Sequence, residues 1–363
     1  MDSEISRFFT DHVPRFTQCL EDFDRHIDRQ AEPVSDVLVA ELTSAINGSL
    51  ANCAELETRL ASADPKVLKE VQARYREAIW PWFGQSWFMN HALSKPRGYA
   101  GDYQMLTAIY DAAPKSRGLG GYLDRYFLNT TLARAVTSRL QLAREFLQAE
   151  LARRTGDVAV LNVACGPCRE FHGGLEPARD GETTITLIDN DPLALDYVQA
   201  YVAPGLVARA RLNFIRYNAL RMTSAAVNVE RFGRSDIIYS VGLCDYIPDK
   251  FLIPMMRGWR ESLTPTGVVY VAFKDSRRYH TPEYQWLADW FFLQRTEEDC
   301  RRLFAEAGYD VDDLSMSRDE TGVIMNFLGH NKAPTLARID AAESPLATQV
   351  LDVHTPSGDR HDS

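Results

Sequence analysis

Apolar positions repeat in two rhythms along this chain. Up to about residue 153 they recur every three to four residues. From Asp157 onward, short continuous apolar runs alternate with amphipathic ones. The first rhythm belongs to helices, the second to buried parallel strands joined by helices. In the first part, residues 1–30 predict one helix and Ser35–Leu60 a second, with Leu38, Leu42, Ile46, Cys53, Leu56 and Leu60 at helical spacing. Asp64-Pro65 marks a third helix, with Asp64 as N-cap and Pro65 at its first position, running to about Ile79. Gly118–Gly121 is a flexible stretch. Asn129–Arg153 is a long amphipathic helix with Leu132, Val136, Leu140, Ala143 and Leu147 on one face.

In the second part, strands are expected at Val158–Val163, Thr184–Ile188, Leu212–Tyr217, Asp236–Val241 and Val268–Phe273, then at Val311–Met316 and Val323–Leu328. Helices fall at Leu193–Val202, Asp249–Leu263, Tyr284–Leu293 and Thr296–Ala307, and another could start at Arg169-Glu170. The link Ser317–Gly322 is too short for a crossover helix, so the last two strands must be antiparallel neighbours. The expected fold is therefore α/β: a Rossmann-like seven-stranded sheet with an antiparallel last strand, preceded by an α-helical N-terminal domain. The domain limits are 1–154 for the helical part and 155–330 for the sheet. Residues 331–363, without apolar periodicity, form a poorly packed tail.

One segment fits neither rhythm. Trp80–Tyr110 is crowded with aromatics around Lys95-Pro96-Arg97-Gly98-Tyr99-Ala100-Gly101-Asp102, where a proline and two glycines forbid a regular helix. A shaped loop carrying Lys, Arg, Tyr and Asp amid aromatics is what a lid or binding wall looks like. The plainer alternative is a structured connection with solvated charges.

Charge and cysteine content narrow the class. A formal net charge of −10 argues against a broad nucleic-acid or anionic-membrane footprint. No run of about 18 apolar residues is present to span a membrane, and the N-terminus lacks the apolar stretch of a signal peptide. Six sparse cysteines, four of them single in apolar surroundings, fit a reducing cytoplasm rather than a disulfide framework. The histidines are scattered without metal-ligand spacing, so no metal is expected. The oligomeric state is left open.

In a parallel sheet of this kind a ligand lies across the carboxyl ends of the strands. The first strand ends in Ala164-Cys165-Gly166-Pro167-Cys168, whose Gly166 lets the backbone approach a ligand. The second ends in Asp189-Asn190, with Asp189 23 residues after Gly166, about the spacing at which an acid reaches ribose hydroxyls. Asn218 and Ala219 end the third strand, placing an amide where an adenine edge would lie. Val241 and Gly242 end the fourth on a small apolar floor. A dinucleotide site wants three glycines in the first turn for the pyrophosphate; Gly166 stands alone there, with Cys168 at the second position. That suits an adenosine carrying a sulfonium amino-acid tail, which needs no pyrophosphate cradle.

Asp157–Glu170, Ile185–Asp191, Arg216–Leu220, Asp236–Tyr246 and Leu263–Phe273 together resemble the class I S-adenosylmethionine-dependent methyltransferases, over about residues 155–330. The resemblance implies S-adenosyl-L-methionine as cofactor and a small-molecule acceptor. It places Cys165 and Gly166 on the methionine part, Asp189 on the ribose, and Asn218 with Ala219 on the adenine. The family usually has glycine where Cys168 stands, and Pro-Gly-Gly where this chain has Pro265-Thr266-Gly267. Lys95–Asp102, Gly242–Tyr246 and Trp290–Thr296 further resemble a bacterial subgroup with a helical N-terminal extension. Some of its members make 3-hydroxy fatty acid methyl esters used as cell-density signals.

Methyl transfer is an in-line displacement that mainly needs positioning and exclusion of water. A carboxylate acceptor needs no base, only cations and phenols to hold it; Arg97, Tyr99 and Tyr246 are the candidates, then Lys95, with Trp290 on the acceptor wall. A hydroxyl or amine acceptor would need a base such as Asp245 or His91. O-methylation of an acyl or aromatic acid is the favoured reading. An N-methyltransferase and a non-catalytic S-adenosylmethionine sensor are the alternatives. A more remote one is a thiol-disulfide protein, because Cys165-Gly166-Pro167-Cys168 spells the thioredoxin tetrapeptide. Against it, the chain lacks a cis-proline type segment at the right distance, and Asp189, Asn218 and Gly242 would go unexplained.

Overall fold

The computed structural model describes residues 2–27, 35–178 and 180–331. The tail expected at its C-terminus therefore lies almost wholly outside the described residues. Seven strands form one sheet in the order β3-β2-β1-β4-β5-β7-β6. They are β1 Val158–Val163, β2 Thr183–Asp189, β3 Arg211–Arg216, β4 Ser235–Val241, β5 Leu263–Lys274, β6 Ser315–Arg318 and β7 Ile324–His330. β3, β2, β1, β4 and β5 pair in parallel, and β7 runs antiparallel between β5 and β6. The expected Rossmann-like sheet with a reversed last strand is thus the observed one.

The helical part comprises α1 Asp2–Arg7, α2 Val13–His26, α3 Asp36–Arg59, α4 Pro65–Phe83, α5 Trp87–Ser94, α6 Tyr103–Asp111, α7 Leu119–Asn129 and α8 Thr131–Ala152. Asp64 caps α4 through the Lys66 amide, with Pro65 at the first position, as the sequence indicates. Buried Leu20, Ile46, Leu50, Tyr75, Phe83 and Phe88 build a core distinct from the two that sandwich the sheet. Two elements join the halves. The start of α8 (Leu132, Ala135, Val136) belongs to the helical core, and its end (Ala143, Leu147, Leu151) packs on the sheet with Val158 and Ile185. After β5, α12 (Pro282–Ala288) returns to the helical core, where Trp286 Nε1 donates to Glu57 Oε2 at 2.9 Å and Arg76 to the Gln285 carbonyl at 2.7 Å.

Several expectations are corrected. The first segment is two α-helices joined by a π-helical turn at Phe8–His12. α4 runs past Ile79 to Phe83 because Pro81 near its end removes only one late backbone donor. Within Trp80–Tyr110 the irregular parts are a three-residue turn at 84–86, between α4 and α5, and the loop 95–102, between α5 and α6. Gly118–Gly121 is not flexible. It opens α7, and a Cβ at Gly120 would stand 2.2 Å from the Gln85 carbonyl oxygen, so glycine there permits close approach of two segments.

No α-helix follows β1; a three-residue 3₁₀ turn at Arg169–Phe171 does, and α8 supplies the cover such a helix would give. Tyr284–Leu293 is helical only to Ala288, where Asp289 adopts a left-handed cap at φ 50°. The sixth strand starts at Ser315 rather than Val311, because the hairpin at Asp319–Gly322, closed by Asp319 on the Ile324 and Thr321 amides, fixes its register. The remaining helices are α9 Pro192–Tyr201, α10 Ala225–Phe232, α11 Asp249–Ser262 and α13 Glu297–Glu306. None of the helices described is long and apolar enough to cross a membrane.

Candidate active site

The turn after β1 is built from strained backbone. Ala164, Gly166 and Cys168 all have positive φ, at 57°, 53° and 51°. A left-handed conformation costs an L-residue about 1–2 kcal/mol, so the surroundings must impose it on Ala164 and Cys168. Asp189, at the tip of β2, is one such restraint: its Oδ2 accepts the Gly166 amide and its Oδ1 the Asp191 amide, both at 2.9 Å. A buried cluster beneath the turn is another. Tyr239 Oη donates to Glu170 Oε1 at 2.7 Å, Asn162 Nδ2 lies 3.1 Å from the same oxygen, and the Cys168 thiol faces it at 3.5 Å. Burial pushes the Glu170 carboxyl up. It also pushes the Cys165 and Cys168 thiols well up, with Asp189 and Glu170 adding to it, whereas a redox pair needs a thiolate.

Over this turn and the neighbouring strand tips lies a cavity of about 390 Å³, within the usual range of ligand pockets. Ala164, Gly166, Asp189 and Asn190 line it at β1 and β2, Asn218 and Ala219 at β3, Val241 and Gly242 at β4. Asp189 is 6% exposed, and burial raises its pKa against the Asp191, Gly166 and Asn190 amides that lower it. Each carboxylate oxygen keeps a lone pair for a further donor. Asn218 Oδ1 caps the short turn at Ala219 by accepting the Leu220 amide at 3.0 Å, which leaves its NH₂ for the cavity. Gly242 has φ 109°, and a Cβ there would meet the Arg139 guanidinium at 3.0 Å.

The cavity continues beyond β4 into an aromatic bay. Tyr246, Trp290, Phe292 and Tyr284 line it together with Phe127, Leu132 and Val136 of α7 and α8, the Phe127 and Tyr284 rings meeting edge to face at 6.2 Å. Trp290 Nε1 donates to Tyr246 Oη at 2.9 Å. The Tyr246 proton is therefore directed elsewhere, and burial raises its pKa so that the phenol keeps it. Tyr99 and Gly101 of the 95–102 loop close the bay from above, and a Cβ on Gly101 would stand 2.8 Å from Tyr246 Oη. Burial, reinforced by Asp189 and Asp191, raises the Tyr99 pKa.

Five expected site residues do not line the cavity. His91 Nε2 sits 2.8 Å from Asp102, which also caps α6. Lys95 pairs with Asp289 at 2.6 Å. Arg97 forms a fork on Asp191, with Nε at 2.8 Å from Oδ2, and thereby ties the loop to the start of α9. The buried Cys165 turns its thiol back toward the Gly166 carbonyl. Asp245 accepts the Lys274 amide at 3.1 Å and Nζ at 2.5 Å.

Two charged cavity residues escaped the sequence reading, besides the apolar lining of the bay. Lys274 ends β5, 4% exposed, with Nζ 4.3 Å from the Phe292 ring centroid; burial lowers its pKa and Asp245 opposes this. Arg139, 2% exposed, reaches the cavity from α8. It sits three residues after Val136 and four before Ala143, so a cation inside the apolar stripe was the available signal.

The fold and the strand tips around the cavity define a Rossmann-like seven-stranded architecture with a reversed last strand. No family model matches the chain, and none of the curated proteins does. Among solved structures, a possible exported protein from Bordetella parapertussis is similar with TM-score 0.53 and 21% identity, over 67% of this chain and 85% of that one. Magnesium protoporphyrin IX methyltransferase from Synechocystis PCC 6803, with bound S-adenosylmethionine, gives 0.38 and 11% over 55% and 83%. The 1,6-didemethyltoxoflavin-N1-methyltransferase of Burkholderia thailandensis gives 0.38 and 17% over 53% and 77%. The first likeness supports the fold alone, and nothing further rests on the weaker two.

Proposed function

We propose that the protein transfers the methyl group of S-adenosyl-L-methionine to a carboxylate oxygen of a small acyl or aromatic acid. The observation that carries this reading is one continuous cavity joining a nucleoside-type site to an aromatic bay with a buried lysine. The nucleoside side fits the cofactor: Asp189 offers lone pairs for ribose hydroxyls, the Asn218 amide group faces the adenine end, and Gly166 and Gly242 keep the floor low. When bound, the cofactor supplies an electrophilic methyl on sulfur.

The chain's own contribution is binding, orientation and dryness. Lys274, whose ammonium keeps N–H donors beyond the one held by Asp245, and the neighbouring Tyr246 hydroxyl are offered to the acceptor oxygen. The wall of Phe127, Val136, Tyr284 and Phe292 takes an apolar body, as the 3-hydroxy acyl chains of the resembling subgroup would provide. Tyr99 and Gly101 cover the bay, and exclusion of water strengthens each polar contact inside. A hydroxyl or amine acceptor would need a free base. The two candidates are committed elsewhere, Asp245 to Lys274 and His91 to Asp102. The six cysteines, none of them in a disulfide, favour a reducing compartment such as the cytoplasm as the setting for this chemistry.

The test is formation of S-adenosylhomocysteine by the full chain with a panel of medium- and long-chain acids, aromatic acids, and the matching alcohols and amines. Turnover with acids alone is expected. Turnover confined to the amines or alcohols overturns the acceptor assignment, and cofactor binding without turnover on any of them favours a sensor.

A further inference from the structure

Arg139 is a buried cation without a counterion. It is 2% exposed, and its Nε has no hydrogen-bond partner. Among the described residues no carboxylate pairs with it; near it lie the hydroxyl of half-buried Tyr110, whose pKa burial raises and the guanidinium partly offsets, and the hydroxyls of Tyr246 and Tyr270. Lys274, the other cation of the cavity, is matched by Asp245. Burial of an uncompensated guanidinium is costly, and such groups are retained where a ligand completes them.

Position decides which ligand group that is. The adenine end of the cavity is at β3 and the ribose acid at β2. Strands are about 4.8 Å apart, so the tip of β4 lies roughly 14 Å from that of β3. Arg139 stands at the β4 tip, against Gly242, where a Cβ would meet its Nη1 at 3.0 Å and Nη2 at 3.1 Å. α8, which carries it, packs beside α6 and beside the 3₁₀ turn after β1. Lys274 lies one strand further on, at the end of β5 and under Phe292.

We infer that Arg139 is the anchor for the α-carboxylate of the cofactor's amino-acid portion, and that Gly242 is glycine so that the guanidinium can lie on the β4 tip. The inference rests on the cofactor reading above. It divides the two cations between the two ligands: Arg139 holds the cofactor's tail and Lys274 the acceptor. A planar guanidinium meets a carboxylate through two parallel N–H···O bonds, which lysine does not reproduce.

Calorimetry on the full chain tests it with two ligands that differ in the amino-acid tail, S-adenosylhomocysteine and 5′-methylthioadenosine. Wild type should prefer the first by about a hundredfold, the scale of a desolvated charge-assisted pair. Arg139→Met should bind both alike, with 5′-methylthioadenosine as tightly as wild type does, and Arg139→Lys should keep a reduced preference. Should Arg139→Met fail to fold, the lysine variant carries the comparison. Equal affinity of wild type for the two ligands overturns the anchor while leaving the cofactor reading intact. An undiminished preference in the variants, or a rise confined to the acceptor's KM, overturns it too. Failure of wild type to bind either ligand refutes the cofactor reading itself.

Discussion

At the residue scale, the site depends on buried charge placed where it costs stability. Lys274 and Asp245 are 4% and 1% exposed along their side chains, and each is the other's counterion. Lys274→Met leaves Asp245 buried and unpaired, a loss of about 3–5 kcal/mol. The double variant Lys274→Met/Asp245→Asn should recover much of that in urea unfolding while still failing to bind the acid acceptor. If the single variant is as stable as wild type, the pair is not what holds this corner. Cys168 makes the converse case, being a non-glycine residue at φ 51°. Cys168→Gly relieves that backbone at the expense of the thiol's contact with Glu170, so the cofactor Kd should stay within about threefold, under 1 kcal/mol. Loss of methyl transfer in a folded Cys168→Gly protein would show that the thiol itself is needed. Asp189 was legible because acids at strand ends have a characteristic spacing from the glycine turn. Arg139 was not, since long cationic side chains inside an apolar stripe ordinarily reach out to solvent.

At the element scale, the 95–102 loop and α12 set how the bay is closed. The ion pairs of Lys95 and Arg97 anchor this loop to Asp289, just after α12, and to Asp191, at the start of α9. Both cations were read from sequence as substrate contacts. Sequence shows that a loop carries charge, but the partner of that charge lies about a hundred residues or more away. A methyl at Gly101 would come within 2.8 Å of Tyr246 Oη and 2.9 Å of Trp290 Cζ2. Gly101→Ala should therefore lift the loop and lower kcat/KM for the acceptor by about tenfold to a hundredfold, as small misplacements do, with cofactor Kd unchanged. An unchanged acceptor KM would mean the loop does not cover the bay.

α12 carries Glu283, whose pKa burial pushes up from 4.5 to about 7. The folded state then holds a proton that the unfolded chain releases, so stability is fullest below about pH 4.5 and falls as pH rises through 7. Glu283→Gln should raise Tm relative to wild type at pH 8 and leave it little changed at pH 4.5. A gain of equal size at both pH values would contradict this.

At the scale of the whole molecule, a helical cap and a Rossmann-like sheet share one cavity, and α8 belongs to both cores. The sheet was legible because buried parallel strands are continuous apolar runs, and the short link to the last strand leaves an antiparallel pairing. The missing helix after β1 was not legible. A cysteine, glycine and proline turn before Arg169-Glu170 looks like a helix start, and only the packing of α8 shows that this space is already filled. The most direct test of the account is calorimetric titration of S-adenosyl-L-methionine into the full chain, wild type and Asp189→Asn, with Asp189→Ala alongside. The account predicts saturable one-to-one binding to wild type, weakened about tenfold or more by Asp189→Asn, which keeps one acceptor oxygen but loses the charge, and further by Asp189→Ala. Absence of binding to a folded wild-type chain, or equal affinity in all three, would contradict it.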